Sequence, residues 1–271
     1  MAGLTINDKT LLRQMSSVPA VAWPTLAVFA GGFVLWAGGL AAHMAGALPS
    51  WLAVVTGFVA IYLLYMAMHE AAHGSLARDR RLNDIVGSIA SIPFLGAFPL
   101  YRHAHRRHHS HTNSKDDDPD FWSGGKPLLA KWLTQDLHYV QVYRNSSRHF
   151  TPAQKFQNVV QPVAFLAVMA GLVHGGYWES VLFAWFVPWR LAIGWLAFAF
   201  NYLPHAPYKV EQSKNRFAAT VCRQPRWLKW ILLFQNYHII HHLYPMAPFY
   251  RIEKMWDIGR DYFREHGTRV V

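Results

Sequence analysis

The stretch from Tyr101 to Asp120 reads YRHAHRRHHSHTNSKDDDPD and contains five histidines within nine residues. If this stretch is helical, His105, His108 and His109 stand at positions i, i+3 and i+4, so their imidazoles share one face. Neutral imidazole is a common metal ligand in proteins, so such a face suits a metal ion. A basic polar loop that carries histidines by chance is the alternative interpretation of this stretch taken alone.

Two further clusters favour the metal site. His69-Glu-Ala-Ala-His73 places two histidines at i and i+4, and His238-Ile-Ile-His241-His242 repeats the i, i+3, i+4 spacing. Three such clusters in one chain arise by chance far less often than one. The single cysteine, at position 222, excludes a disulfide framework and a thiolate metal site within one chain.

The composition indicates a membrane protein. Hydrophobic residues make up 52% of the 271 residues and charged residues 15%, against roughly 25% charged residues in a typical soluble domain. The net charge of +11 is compatible with nucleic acid, anionic lipid or an acidic protein partner. Because the chain carries no nucleic-acid-binding motif, we predict no nucleic-acid partner.

Apolar runs predict four transmembrane helices in two hairpins, at about 20–42, 51–68, 159–173 and 181–200. For the first run a signal peptide is the alternative, but the run exceeds the roughly 7–15 residues of such a peptide's apolar region. A shorter apolar segment at 85–100, interrupted by Pro93 and Pro99, predicts an interfacial or re-entrant segment. We therefore predict an all-α membrane protein with a single domain over 1–271.

Basic residues predict the orientation in the membrane. Neither hairpin turn contains lysine or arginine, whereas the termini and the central segment contain nearly all of them. The positive-inside rule then places both termini and all the histidine clusters on the cytoplasmic side. The clusters would lie in a cytosolic helical cap formed by 69–158 and 201–271.

The sequence His-Glu-x-x-His also matches the zinc metalloprotease pattern, in which Glu70 would be the general base. A membrane zinc protease needs one ion with three protein ligands, whereas this chain offers eight clustered histidines, enough for two ions of higher coordination. A histidine-rich metal transporter is a further alternative, but transporters place their ligands near the middle of the membrane. Ligand type alone leaves iron, zinc, copper and nickel open.

The order HxxxH, HxxHH, HxxHH, with paired spans before the third motif, resembles the membrane fatty-acid desaturase and hydroxylase superfamily from about Trp51 to Trp256. That resemblance implies a non-haem di-iron oxygenase with O2 as co-substrate, in the cell membrane of a bacterium. It implies iron ligands at His69, His73, His105, His108, His109, His238, His241 and His242. Asn201-Tyr-Leu-Pro-His205 matches the superfamily's Asn-x-x-x-His pattern, which implies His205 as a ninth ligand and Asn201 as a water-mediated one.

Within the superfamily, three stretches resemble bacterial and cyanobacterial carotenoid ring hydroxylases and ketolases. They are Asp-Pro-Asp-Phe at 118–121, Tyr-Leu-Pro-His-Ala-Pro at 202–207 and Gln-Asn-Tyr-His at 235–238. This resemblance implies hydroxylation of a carotenoid β-ring, with an acyl-lipid or fatty-acid desaturase as the alternative. Ala206 and Asn201 depart from the carotenoid pattern, which usually has Arg and tends to have Asp there, so the substrate stays open.

The sequence also suggests supporting roles near the site. Glu70 and Asp118 are predicted to offset the charge of an all-histidine centre, and His103 and His111 to contact ligand histidines or Asp117, Asp118 or Asp120. A lipophilic substrate would enter a tunnel lined by residues such as Phe94, Phe98, Trp189 and Trp195. Arg190, inside an apolar run, should have a partner or a function. His43 and His174, near the other hairpin ends, are expected to be structural.

The source of electrons must be a separate protein. The chain has no His-Pro-Gly-Gly cytochrome b5 signature and no nucleotide-binding glycine loop. An acidic ferredoxin, reduced by its own reductase, would fit a basic face that includes Arg223, Arg226 and Lys229. Attraction of these residues to anionic lipid is the alternative.

Overall fold

The computed structural model describes residues 4–123 and 128–271. Its α-helices are α1 Ile6–Met15, α2 Trp23–Met44, α3 Ser50–His73, α4 Arg80–Ala90, α5 Phe98–His111, α6 Leu128–Ser146, α7 Pro152–His174, α8 Trp178–His205, α9 Leu228–Ile231, α10 His238–Leu243 and α11 Ile252–Glu265. Short 3₁₀ turns lie at Ile92–Phe94, Phe121–Ser123, Ser147–His149, Gln235–Tyr237 and Phe249–Arg251. Two two-residue strands, β1 Val221–Cys222 and β2 Arg269–Val270, pair in parallel. The predicted helical fold is thus confirmed, with this small sheet as an addition.

Four helices are long and apolar enough to cross a membrane: α2, α3, α7 and α8, with 22, 24, 23 and 28 residues. At 1.5 Å per residue each exceeds the roughly 30 Å of a bilayer core. Four candidate spans are therefore present, and they overlap the four predicted apolar runs. Their arrangement as membrane hairpins, and the cytosolic position of the cap, stay predictions.

Two spans extend further than the apolar runs that predicted them. The runs end at 68 and 200, but α3 continues to His73 and α8 to His205. A helix continues beyond its last apolar residue because its backbone hydrogen bonds do not depend on side-chain polarity. As a result, the histidines of the first cluster and His205 occupy the last turns of two spans.

Helix α3 is the centre of the bundle. It contacts α2, α4, α5 and α8, and from Ala60 to His73 nearly every residue is buried. The outer helices instead keep exposed apolar side chains, such as Val34 on α2 at 69% exposure and Val163 on α7 at 58%. Continuous exposed apolar surface of this kind suits contact with lipid chains rather than water.

Close packing of α3 against α8 depends on Gly57, which leads to a prediction. A Cβ atom at Gly57 would lie 2.9 Å from the backbone oxygen of Ala184 and 2.8 Å from Cγ of Pro188. We expect Gly57→Ala to lower the melting temperature of the purified protein, because overpacking costs about 1–3 kcal/mol. Gly38→Ala on α2 is the matched control, since nothing lies within 4 Å of its new Cβ. Equal melting temperatures for both variants would contradict this packing.

Helix α8 contains two π-helical segments, Leu182–Phe186 and Ala197–Tyr202. A π turn has i to i+5 hydrogen bonds and is rare, and it occurs frequently at functional sites. The second segment contains Asn201 and is followed directly by the short α-helical turn Leu203–His205.

The predicted interruption at 85–100 is confirmed. Helix α4 ends at Ala90, a 3₁₀ turn covers Ile92–Phe94, and α5 begins at Phe98 with Pro99 in its first turn. Proline is tolerated there because the first amide groups of a helix have no partner inside it. The break allows α5 to start a new direction and to place its histidines beside the end of α3.

A second core positions α10. It contains Leu12 of α1, Tyr237 and Ile240 around α10, and Trp256 and Phe263 of α11, all almost fully buried. Burial of aromatic side chains of this size contributes strongly to stability. This core fixes the third histidine cluster against the ends of the spans.

Candidate metal centre

The nine predicted ligand histidines lie together in the interior of the protein. None has more than 8% of its surface exposed: His69, His73, His105, His108, His109, His205, His238, His241 and His242. They come from α3, α5, the end of α8 and α10. Four elements far apart in the sequence therefore converge on one site.

The histidines form two groups. The first contains His69, His73, His105, His109 and His241, and the second contains His108, His205, His238 and His242. Within each group the candidate ligand atoms all lie within 4.8 Å of one another. Nε2 of His73 is 2.8 Å from Nε2 of His105, and Nε2 of His205 is 3.1 Å from that of His238.

The protonation and hydrogen bonding of the rings fit metal ligands. Burial, together with neighbouring histidines, lowers the pKa of His105, His109 and His241 well below the ordinary value. Neutral rings present a lone pair, which metal binding requires. Both ring nitrogens of His69 are buried without a hydrogen-bond partner among the described residues, which is costly unless another partner binds them. Groups of five and four imidazoles fit two metal ions, iron among them.

Asp118 orients one of these ligands. Nδ1 of His108 donates to Oδ1 of Asp118 at 2.8 Å, and Oδ2 of Asp118 accepts from the backbone N–H of Asn113, also at 2.8 Å. Burial disfavours protonation of His108, but the Asp118 carboxylate outweighs it and raises the pKa of His108 to about 9. A proton held on Nδ1 leaves Nε2 directed at a metal ion. The predicted role of Asp118 in offsetting the charge of the centre stays a prediction.

An apolar cavity of about 350 Å³ reaches the first histidine group. Its lining includes Phe94 and Trp189, as predicted, together with His105 and Asn201. Phe98 and Trp195, also predicted, are absent from it: Phe98 packs on Gly87 and Trp195 on Tyr62, because their side chains point to other helices. Asn201 thus lies on the same cavity as a predicted ligand, and its water-mediated ligation stays a prediction.

Residues 45–271 match the sequence model of the family described as Fatty acid desaturase. The chain belongs to the fatty acid desaturase family. It is similar to an sn-1 oleoyl-lipid 12-desaturase of Picosynechococcus sp., with 23% identity over 77% of this chain and 67% of the relative. The sn-1 oleoyl-lipid 12-desaturase of Anabaena variabilis has 28% identity over 73% of this chain and 63% of the relative. A zeaxanthin 4-ketolase of Chlamydomonas reinhardtii has 28% identity over 88% of this chain and 51% of the relative.

The matches confirm the resemblance to the desaturase and hydroxylase superfamily. They also show that this chain spans between about half and two thirds of the length of these relatives. The activities of whole relatives are therefore a basis for proposals about this chain. The structure itself adds four helices long enough to cross a membrane and two groups of histidines that could hold metal ions.

Glu70 contacts the C-terminal part of the chain. Its carboxylate Oε2 accepts a hydrogen bond from the backbone N–H of Phe249 at 3.2 Å, and Glu70 is outside the two histidine groups. Adjacent residues on an α-helix point roughly 100° apart, so Glu70 does not face the centre that His69 faces. The contact ties α3 to the C-terminal core, and an effect on the metal charge remains a prediction.

His103 and His111 do not contact the aspartates, so that prediction is wrong. The ring of His103 stacks on His149 at 5.3 Å, and Nδ1 of the exposed His111 lies 3.1 Å from the backbone oxygen of Arg107. Both residues lie outside the helix face that carries the ligands of α5. As expected, His43 is structural, because its two ring nitrogens bond to Ser180 and Ser50.

Two supporting contacts were absent from the sequence predictions. Oε1 of Gln235 lies 2.7 Å from Nδ1 of His238, and Oγ1 of Thr112 lies 3.2 Å from Nδ1 of His242. Partners of this kind fix the orientation of a ligand ring. The contact of Gln235 could have been predicted, because Gln235 precedes His238 by three residues, or about one helical turn. The contact of Thr112 could not, because Thr112 and His242 are 130 residues apart in the sequence.

Arg190 lies half-buried in α8, with its guanidinium carbon 4.6 Å from the ring centre of Trp189. A cation over an indole face is a favourable arrangement where water is excluded. Trp189 lines the apolar cavity, so Arg190 contacts a residue of the cavity wall. Pairing with a carboxylate or with a polar part of the substrate stays a prediction.

Two of the three cations of the predicted electron-donor face pair with carboxylates. Nζ of Lys229 pairs with Glu253 at 2.6 Å, and Arg226 pairs with Asp257. Nε of Arg223 donates to the backbone oxygen of Leu203 at 3.0 Å. The carboxylates of α11 could not be assigned to these cations from the sequence, because they are distant in the chain.

Proposed function

We propose that the chain is a di-iron, O2-dependent oxidoreductase that acts on C–H bonds of a lipophilic membrane substrate. The observation that carries this proposal is the position of His105, which belongs to the five-histidine group and also lines the apolar cavity. A substrate in this cavity would lie beside the metal centre. Nine histidines in two groups also exceed what a single zinc ion of a protease would need.

Two bound iron ions would supply the activation of O2 and the removal of hydrogen from an unactivated C–H bond. The nine histidines would hold the ions, and Asp118 would hold the proton of His108 on Nδ1. Aromatic walls such as Trp189 and Tyr101 would exclude water and fix the target carbon. Its distance and angle to the metals would then select between an alcohol and an alkene.

For the substrate we favour a carotenoid β-ring, which would be hydroxylated. The support comes from the motifs at 202–207 and 235–238 and from the zeaxanthin 4-ketolase, which matches over 88% of this chain. The cavity has bulky aromatic walls and a volume near the lower end of ligand pockets, which fits one ring end rather than a whole carotenoid.

Desaturation of an acyl lipid is the second candidate. It is favoured by the two cyanobacterial oleoyl-lipid 12-desaturases among the relatives, at identities similar to that of the ketolase. An acyl chain would occupy the same cavity, because both substrates are long, apolar and dissolved in the membrane. In either case we propose one membrane domain over 1–271, with both termini and the cap on the cytosolic side.

Expression in a β-carotene-producing bacterium distinguishes the two candidates. We expect hydroxylated carotenoids to accumulate while the fatty-acid profile stays unchanged. Pigments and membrane fatty acids should be measured from the same cultures, with a His241→Ala variant as the inactive control. A new double bond in the membrane lipids with unchanged pigment would instead assign the chain as an acyl-lipid desaturase.

A further inference from the structure

A cleft of about 1280 Å³ reaches the metal centre from another side than the apolar cavity. Its lining includes His73 and His109 of the first histidine group and His242 of the second. Among the described residues, the cleft and the cavity share no lining residue. The centre therefore lies between two openings, one apolar and one polar.

The cleft carries a concentrated positive charge. In the described part of the chain, five arginines line it: Arg78, Arg80, Arg102, Arg106 and Arg216. The carboxylate in the lining is Asp84, which pairs with Arg102. An excess of guanidinium groups around a concave surface focuses the field and attracts anionic partners.

Some of the remaining arginines are held in place by backbone oxygens, without being neutralised. Nε of Arg106 donates to the backbone oxygen of Ala72 at 2.7 Å, and Arg216 donates to that of Leu243 at 3.1 Å. Backbone carbonyls orient a guanidinium but do not cancel its charge. This differs from Arg226 and Lys229, which pair with carboxylates.

The proposed reaction needs electrons at the floor of this cleft. Hydroxylation of one C–H bond by O2 consumes two electrons and two protons and yields the alcohol and one water. Desaturation takes two hydrogen atoms from the substrate, two further electrons and two protons, and yields two waters. Since this sequence has no nucleotide-binding loop or cytochrome signature, both electrons must come from a redox centre outside these 271 residues.

We propose that this arginine cleft is the docking site of a small acidic iron–sulfur protein of the ferredoxin class. This inference rests on the proposed function, because a protein without redox chemistry needs no such donor. Two reduced carriers would dock in turn, each giving one electron, while the protons come from solvent in the cleft. An acidic partner bound here would come close to His73 and His109 of the first histidine group and to His242 of the second.

A flat anionic membrane surface is the other class of partner that a basic face can attract. The cleft favours a protein because it is concave and ends on buried histidines, which a planar bilayer surface does not reach. Binding of anionic lipid is therefore treated as an outcome of the test.

The test uses a double variant, Arg80→Glu with Arg216→Glu, which is called the cleft variant. Both arginines are exposed, line the cleft and lie outside the two histidine groups. The control is Lys254→Glu with Arg260→Glu, an equal charge change on exposed positions of α11. A reduced plant-type [2Fe–2S] ferredoxin is the probe, and its Kd for the detergent-purified full chain is measured directly. We expect the cleft variant to bind at least tenfold more weakly and with less salt dependence, and the control to bind like wild type.

Turnover is measured with ferredoxin and, separately, with dithionite and methyl viologen as small reductants. We expect the cleft variant to have a raised KM for ferredoxin but the wild-type rate with small reductants. If the cleft variant binds ferredoxin as tightly as wild type, the proposed docking site is wrong. It is also wrong if the only defect of the cleft variant is weaker binding to vesicles that contain 30% anionic lipid. If wild type binds ferredoxin through the cleft but never turns over, the docking site stands and the proposed function fails.

Discussion

Replacing His241 by alanine is expected to lower the bound iron from two ions per chain toward one and to abolish turnover. His241 belongs to the five-histidine group, and its Nε2 lies 3.0 Å from Nε2 of His109. A metal ion contributes several kcal/mol to transition-state stabilisation, and each ~1.4 kcal/mol is tenfold in rate. We therefore expect a loss of at least about 10³-fold, measured together with iron content on purified protein.

His111→Ala is the matched control for this variant. His111 is an exposed histidine in the last turn of α5, beside the ligands but outside both groups. It should keep two irons and the wild-type rate, and both variants should insert into the membrane. Full iron content and turnover in His241→Ala would contradict the two-group site. One zinc and no iron in anaerobically reconstituted wild type would refute the oxygenase itself.

Asp118→Asn is expected to reduce metal affinity and turnover by about 10- to 100-fold, the range typical of lost partners behind a metal ligand. The carboxylate of Asp118 accepts from His108 through Oδ1 and from the Asn113 N–H through Oδ2. An amide has one oxygen, so one of these two donors would face an NH2 group instead. The effect is measured by iron titration of the apoprotein and by the rate at saturating iron.

Asp117→Asn tests whether the effect is specific to the buried carboxylate. Asp117 pairs with Arg107 at 2.7 Å on the surface, where such pairs contribute about 0–1 kcal/mol. Iron affinity should therefore be unchanged in that variant. If both aspartate variants lose iron to the same extent, the loss reflects the loop as a whole and Asp118 has no particular role.

The histidines of the candidate centre could be picked out from the sequence because their spacing is local. His105, His108 and His109 share a helix face whatever else the chain does. Their division could not be predicted: His108 and His109 are adjacent in the chain, yet they belong to different groups. That division depends on how α3, α8 and α10 pack around α5, which no short spacing encodes.

The basic docking surface could not be located from the sequence either, because ion pairs between residues distant in the chain decide which charges stay free. Arg226 and Lys229 looked like a docking face because their carboxylate partners are in α11, more than 20 residues away. Arg80 and Arg216 line one cleft although they are far apart in the sequence. Net charge is a property of composition, but a binding surface depends on which charges remain uncompensated after folding.

The length of α8 is itself part of the metal site. A π turn corresponds to an α-helical turn with one residue inserted, and Ala197–Tyr202 is such a turn directly before the end of the span. Without that insertion, every following residue would rotate by roughly 100° about the helix axis. His205 would then turn away from His238, its present neighbour at 3.1 Å. An insertion or deletion, which a loop tolerates, would here remove His205 from the four-histidine group.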